Sequence, residues 1–247
     1  MIVYCFLTYN NIIRFDIWNK YFENQSGFKV FIHAKDPQSI NTRFYSFPIH
    51  IIQNPVFTKS KSDISIVEAT LKLFSDAFHQ TPDATHFVFL TQSCIPLYSF
   101  NKHSKLISNL DKSILSCIKD NKKERYFSLS PFLKSKIHYQ HFFKQQPNMI
   151  LIKDDIHWLL NNNFIQDFKF MECPDEHYFI NIILNIYKKE IILQQINFCN
   201  PDLKKTQAIN FSIINSKFID QIRSNGFLFM RKVLPNSQID IQKLIDL

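Results

Sequence analysis

Ile2-Val-Tyr-Cys-Phe-Leu7 and Lys29-Val-Phe-Ile-His33 bracket a segment, Ile12 to Glu23, whose apolar residues fall at Ile12, Ile13, Phe15, Trp18, Tyr21 and Phe22. The flanking runs are short, apolar and rich in β-formers, and the middle has helical spacing, so the chain opens as a βαβ unit. Ile49 to Ile52 reads as a third strand, Ile64 to Ala77 as a helix and His86 to Thr91 as a strongly apolar central strand. Strands alternating with helices predict an α/β domain with a mostly parallel central sheet flanked by helices.

The same reading extends downstream. Leu106 to Cys117 is predicted helical, Tyr126 to Leu129 and Asn148 to Ile152 extended, and Asp154 to Asn161 helical. Asp175 to Lys188 carries the clearest helix signals, with Pro174 before it, two acids at its start and two lysines at its end. Strands are expected over Ile191 to Phe198 and Gly226 to Phe229, around a helix from Ile214 to Arg223. No repeat or composition shift divides the chain, so residues 1–247 are expected to form one domain.

Composition narrows the chemistry. The chain holds 2 Gly against 26 Phe, so a Gly-rich phosphate cradle is excluded, and neither a P-loop nor a G-x-G-x-x-G fingerprint occurs. Its formal net charge of +8 points to an anionic partner: a sugar nucleotide, a nucleic acid or an acidic membrane surface. Cys5, Cys94, Cys117, Cys173 and Cys199 include no C-x-x-C pair, which fits a reducing compartment better than a disulfide framework or a zinc site. His138 and His141 lack a third ligand nearby in sequence, and Tyr139 to Lys144 reads either as core or as a surface for sugar rings.

The first residues read as a strand rather than a signal peptide, and no run approaches a membrane span. The expected location is the cytoplasm, without a transmembrane segment, and peripheral membrane contact is left open by the charge. Richness in Ile, Asn, Lys and Phe suggests an AT-rich bacterial or viral genome; for a virus, the host cytoplasm or the virion is the expected location.

Three blocks stand apart from generic core: Phe87-Val-Phe-Leu-Thr-Gln-Ser-Cys-Ile-Pro-Leu-Tyr98, Cys173-Pro-Asp-Glu-His-Tyr-Phe179 and Gly226-Phe-Leu-Phe-Met-Arg-Lys232. In this order they resemble the core-2/I-branching β-1,6-N-acetylglucosaminyltransferases, with their plant relatives and the peptide O-xylosyltransferases. Thr8, the His33-Ala-Lys-Asp36 turn and the Ser62 to Ala69 helix start also match. The resemblance implies a GT-A-like fold and an inverting transfer of GlcNAc or xylose from a UDP-sugar to a glycan or glycoprotein hydroxyl.

Each implied role falls on a numbered residue. Glu176 takes the place of the family's catalytic base, and a carboxylate near a helix start is held in the ionised form that a base requires. The chain contains no Asp-x-Asp, so no divalent metal or other cofactor is expected, and cationic side chains must stabilise the departing diphosphate. Lys232 matches the family's phosphate lysine, Lys204 or Lys205 falls where a second cation is usual, and Arg231 adjoins Lys232. Thr8, Asp36 and Ser65 are the nucleoside-side candidates; Ser93, Cys94 and Asp175 are those of the donor pocket. Lys35 lengthens the family's usual His-x-Asp by one residue, and Lys144-Gln-Gln-Pro-Asn148 departs from its Gln-Trp. A basic nucleic-acid-binding protein and a non-catalytic sugar-nucleotide binder are the alternative readings.

Overall fold

In a computed structural model, residues 1–60, 63–202 and 208–245 are described. Four parallel strands, β1 (Ile2–Thr8), β2 (Phe28–Ala34), β3 (Ile49–Ile51) and β4 (His86–Thr91), lie in the order β3-β2-β1-β4. The sheet continues beyond β4 through Met149–Ile152, Ile114–Leu115 and Ile192–Leu193, making seven strands. Only Met149–Ile152 runs against its neighbours, so the sheet is mostly parallel, as the alternation of elements predicts.

Side-chain alternation divides the interior in two. Ile2, Tyr4 and Phe6 pack with Val30, Ile32, Val88 and Leu90 on one face, while Val3 and Cys5 pack with Phe31, Phe87 and Phe89 on the other. Because both faces are covered, the strands read as continuous apolar runs instead of alternating ones. Helix α1 (Phe15–Phe22) buries Ile17, Trp18, Tyr21 and Phe22. Trp18 is fully buried, meets Phe6 edge-on at 5.0 Å and donates its indole N–H to the Cys94 carbonyl at 3.0 Å. Truncating a ring of this size in a packed core costs about 3–5 kcal/mol. Helix α2 (Ser65–Gln80) covers the opposite face through Leu73, Phe74 and Ala77.

A smaller sheet joins Asn197–Phe198, Phe229–Met230 and Ile95–Pro96. It hooks the C-terminal part onto the turn after β4: the Val233 N–H donates to the Ser93 carbonyl at 3.0 Å, and Arg231 N–H to Phe198 at 2.8 Å. This pairing is what carries Arg231 and Lys232 back to the carboxyl end of the main sheet.

The structure corrects several local expectations. Leu106 to Cys117 is not one helix: α3 spans Phe100–Ser108, and Ile114–Leu115 enters the sheet. Helical spacing continued across the Asn109 to Asp111 turn, where tertiary pairing overrides it. Tyr126 to Leu129 is not a strand, since α4 covers Lys123–Phe127 and stacks Tyr126 edge-on against Tyr139 and Phe142. Ile191 to Phe198 splits into two strands belonging to different sheets. The Asp175 to Lys188 segment is a 3-10 turn at Pro174–Glu176, a short α-helix at Tyr178–Asn181 and a π-helical stretch at Ile182–Tyr187. His177, with φ −130°, interrupts it.

Candidate active site

The order β3-β2-β1-β4 reverses direction at β1, and ligands in open α/β sheets bind outside the carboxyl ends of strands at such a point. A cavity of about 550 Å³ opens there. Gln92 ties the two strand ends together: its side chain accepts from the Tyr9 N–H at 2.7 Å, its N–H donates to Leu7 at 3.2 Å, and its carbonyl accepts from Ile13 at 2.8 Å.

Of the residues singled out in the sequence, Thr8, Ser93, Asp175, Glu176, Arg231 and Lys232 line this cavity. They come from four separated stretches, joined by the two sheets. Thr8 ends β1, and its Oγ1 is buried without a hydrogen-bond partner. Asp175 Oδ1 and Arg231 Nε are likewise buried and unpartnered. Buried polar groups are normally satisfied, so two acceptors or hydroxyls and one cationic donor left open around one cavity fit a polar, anionic ligand.

Glu176 is fixed from behind by the segment Lys144-Gln145. Lys144 Nζ stands 2.8 Å from Glu176 Oε2. The Gln145 N–H donates to the Glu176 carbonyl at 2.7 Å, and the Gln145 side chain accepts from Ile180 at 2.7 Å. Pro174–Glu176 is a 3-10 turn and Tyr178–Asn181 is only four residues long, so the dipole at this helix start is weak, and Lys144 is the cation in contact with the Glu176 carboxylate.

Asp175 behaves differently from its neighbour. Burial, with the Glu176 carboxylate as a second cause, pushes its carboxyl up to about 7, against the opposing charge of Arg231. Adjacent carboxyls in these surroundings divide the work, one ready to hold a proton and the other paired with a cation.

The turn has a further support that sequence reading missed. His177, fully buried and stacked on Phe142 at 5.1 Å, bonds through Nε2 to Asp120 Oδ2 at 2.7 Å and through Nδ1 to the Cys173 carbonyl at 2.9 Å. Burial pulls its imidazole below the ordinary value, while Cys173 and Asp120 push the other way. Arg125 Nη1 lies 3.4 Å from the same Asp120 oxygen and its Nε 3.4 Å from Glu172. Lys35, directly after β2, and Lys59, in the stretch between β3 and α2, also line the cavity. The one signal pointing to Lys35 and Lys144 was that each falls where the chain departs from its relatives.

Other candidates lie elsewhere. Asp36 is exposed beyond the end of β2, and its extra residue places Lys35 rather than Asp36 on the cavity wall. Ser65 is buried behind the wall: its hydroxyl accepts from the Lys59 N–H at 3.1 Å, so it holds the loop that lines the cavity. Cys94 is fully buried in the core beneath Trp18, with Asn148 Nδ2 at 3.4 Å from its sulfur, instead of on the donor side. Lys204 and Lys205 lie outside the described residues. The rings of His138 and His141 are 6.5 Å apart, and no group of three or more metal-ligating side chains occurs among the described residues.

The fold and the cavity define an α/β domain with a ligand site at the carboxyl ends of its parallel strands. The chain belongs to the Core-2/I-Branching enzyme family, whose model matches residues 2–223. It is similar to glycosyltransferase BC10 of Oryza sativa subsp. japonica, 26% identical over 134 residues. The match covers 51% of this chain and 32% of the relative, so it spans about a third of that protein's length. Among solved structures, the galactosyltransferase LgtC in complex with donor and acceptor sugar analogues overlaps with a TM-score of 0.44 and 13% identity, covering 81% of this chain and 76% of that one. A glycosyltransferase involved in glycosylation of the major capsid of PBCV-1 overlaps with a TM-score of 0.39 and 10% identity, over 94% and 92% of the two chains. No helix among the described residues is long and apolar enough to cross a membrane.

Proposed function

We propose that the protein is an inverting, metal-independent glycosyltransferase that moves GlcNAc or xylose from a UDP-sugar to a hydroxyl of a glycan or glycoprotein. The observation that carries this reading is the joint presence of Glu176, Arg231 and Lys232 on one cavity at the carboxyl ends of β1 and β4. Glu176 accepts the acceptor hydroxyl proton as that oxygen attacks the anomeric carbon from the side opposite the departing diphosphate. Arg231 and Lys232 stabilise the charge that builds on the leaving group, and Lys59 adds to the same positive field. Metal independence is supported by the lack of Asp-x-Asp in the sequence and by these cations. Thr8 meets the nucleoside in this reading, supported by its open hydroxyl on the cavity wall, and Lys35 stands where the family more often has an acid. A cytoplasmic location accords with the cysteine pattern.

The test is a hydrolysis and transfer screen across UDP-sugars, run with and without EDTA, on the parent chain and Glu176→Gln. Turnover that survives chelation, with a variant that binds donor but does not transfer, is the expected result. Loss of turnover on chelation overturns metal independence. A Glu176→Gln variant as fast as the parent removes Glu176 from the mechanism. Donor binding without turnover in the parent favours a non-catalytic sugar-nucleotide binder.

A further inference from the structure

Three phenylalanines are set outward on one part of the surface: Phe127, Phe132 and Phe170 are 63%, 50% and 82% exposed. They belong to α4, to α5 (Pro131–Lys136) and to the turn after Ile165–Phe168. These three segments are spliced together. The Ser130 N–H donates to the Asp167 carbonyl at 3.1 Å and its hydroxyl to Asp167 Oδ1 at 2.5 Å, while the Phe132 ring stacks on Phe164 at 6.5 Å.

Lysines are interleaved with the rings. Lys134 Nζ donates to the Phe127 carbonyl at 3.2 Å, Lys136 Nζ lies 6.0 Å from the Phe132 ring centre, and Lys169 Nζ lies 5.8 Å from that of Phe170. The neighbouring acids are mostly engaged within the fold. Asp167 holds Ser130, and Glu172 lies 3.4 Å from Arg125 and 3.7 Å from Lys122. With Glu172 paired to Arg125 and Lys122, Asp167 and the exposed Glu124 stand against Lys123, Lys134, Lys136 and Lys169, which leaves the face positive.

We propose that this face docks the protein onto an anionic lipid surface. Aromatic rings standing out from short helices and a turn enter the headgroup boundary, and ammonium groups around them meet anionic headgroups. The Lys136 and Lys169 ammonium groups stand beside the Phe132 and Phe170 rings, so charge and ring reach the same headgroup layer together. A bare apolar face would suit a second protein equally; the ring of lysines is what selects an anionic bilayer. None of these residues lines the cavity, so the docking face and the chemistry are separable.

The test is flotation of the full chain with vesicles of phosphatidylcholine alone or mixed with phosphatidylglycerol, at low and high salt. Binding to the anionic vesicles at least about tenfold above the neutral ones, weakened by salt, is expected. Phe127→Ser, Phe132→Ser and Phe170→Ser combined should abolish it, and Lys134→Gln, Lys136→Gln and Lys169→Gln combined should remove its salt dependence. Both variants should keep the parental melting temperature and donor hydrolysis, which separates loss of docking from loss of fold. Equal partition onto both vesicle types, or a triple Phe variant that floats like the parent, overturns the proposal. Binding of a single-stranded oligonucleotide that is lost in the same Phe variant assigns the face to nucleic acid and overturns it as well.

Discussion

Lys144 Nζ lies 2.8 Å from Glu176 Oε2, although the two residues are 32 positions apart and Lys144 sits on a two-residue strand paired with Ile118–Lys119. The same strand leads into Gln145, which bonds the Glu176 backbone. One short segment therefore both positions the carboxylate proposed as base and places a cation against it.

Lys144→Gln should lower the transfer rate by roughly tenfold, a modest part of the 10²–10⁴ that a positioned base contributes. A single pair at this partly buried position should contribute about 1 kcal/mol to stability, so the melting temperature should move by only a few degrees. Lys144→Arg should restore most of the rate. Steady-state transfer assays beside thermal melts check this, and an unchanged Lys144→Gln rate would show that the ion pair is incidental.

Thr8→Val removes a buried hydroxyl that the free protein leaves unsatisfied. Replacing such a group by an apolar one of the same shape should leave the fold as stable or raise its stability by about 1 kcal/mol. Donor binding should weaken by roughly tenfold over the same change, because the nucleoside then meets no hydroxyl there. Isothermal titration with UDP and a denaturant melt read the two effects separately.

Asp175 has an ordinary value of 3.8 and is pushed up to about 7 in the folded chain. A carboxyl that holds its proton more tightly when folded stabilises the native state fully below its unfolded value, and that stability is lost as pH rises through the folded one. The stability difference between parent and Asp175→Asn should therefore shift in favour of the variant between pH 4 and pH 7. Melts of both across this window test it, and parallel curves would place the Asp175 carboxyl near its ordinary value.

His177→Phe keeps a ring against Phe142 but leaves Asp120 with Arg125 and the Lys122 N–H, and it removes the imidazole from the Cys173 carbonyl, which keeps the Glu176 N–H at 3.1 Å. Losing two bonds from a buried polar group should destabilise the chain by about 1–3 kcal/mol. Because Cys173 begins the turn that carries Glu176, transfer should fall further than UDP binding. A variant impaired equally in both would limit His177 to a general structural role.

The α/β class, the first four strands and the residues of the Pro-Asp-Glu block were legible along the chain. Those features are local: apolar runs buried on both faces of a sheet are continuous, and the helix α1 repeats its buried residues at helical spacing. Tertiary structure decided what local spacing could not. The break at His177 depends on its bonds to Asp120 and Cys173, and the strand Ile114–Leu115 exists only because the sheet has a place for it. Lys144 meets Glu176, Lys35 displaces Asp36 from the cavity wall, and Cys94 sinks beneath Trp18, all through contacts between distant segments. Spacing along a chain sets which way a side chain points on its own element; it takes the pairing of elements to decide what that side chain finds there.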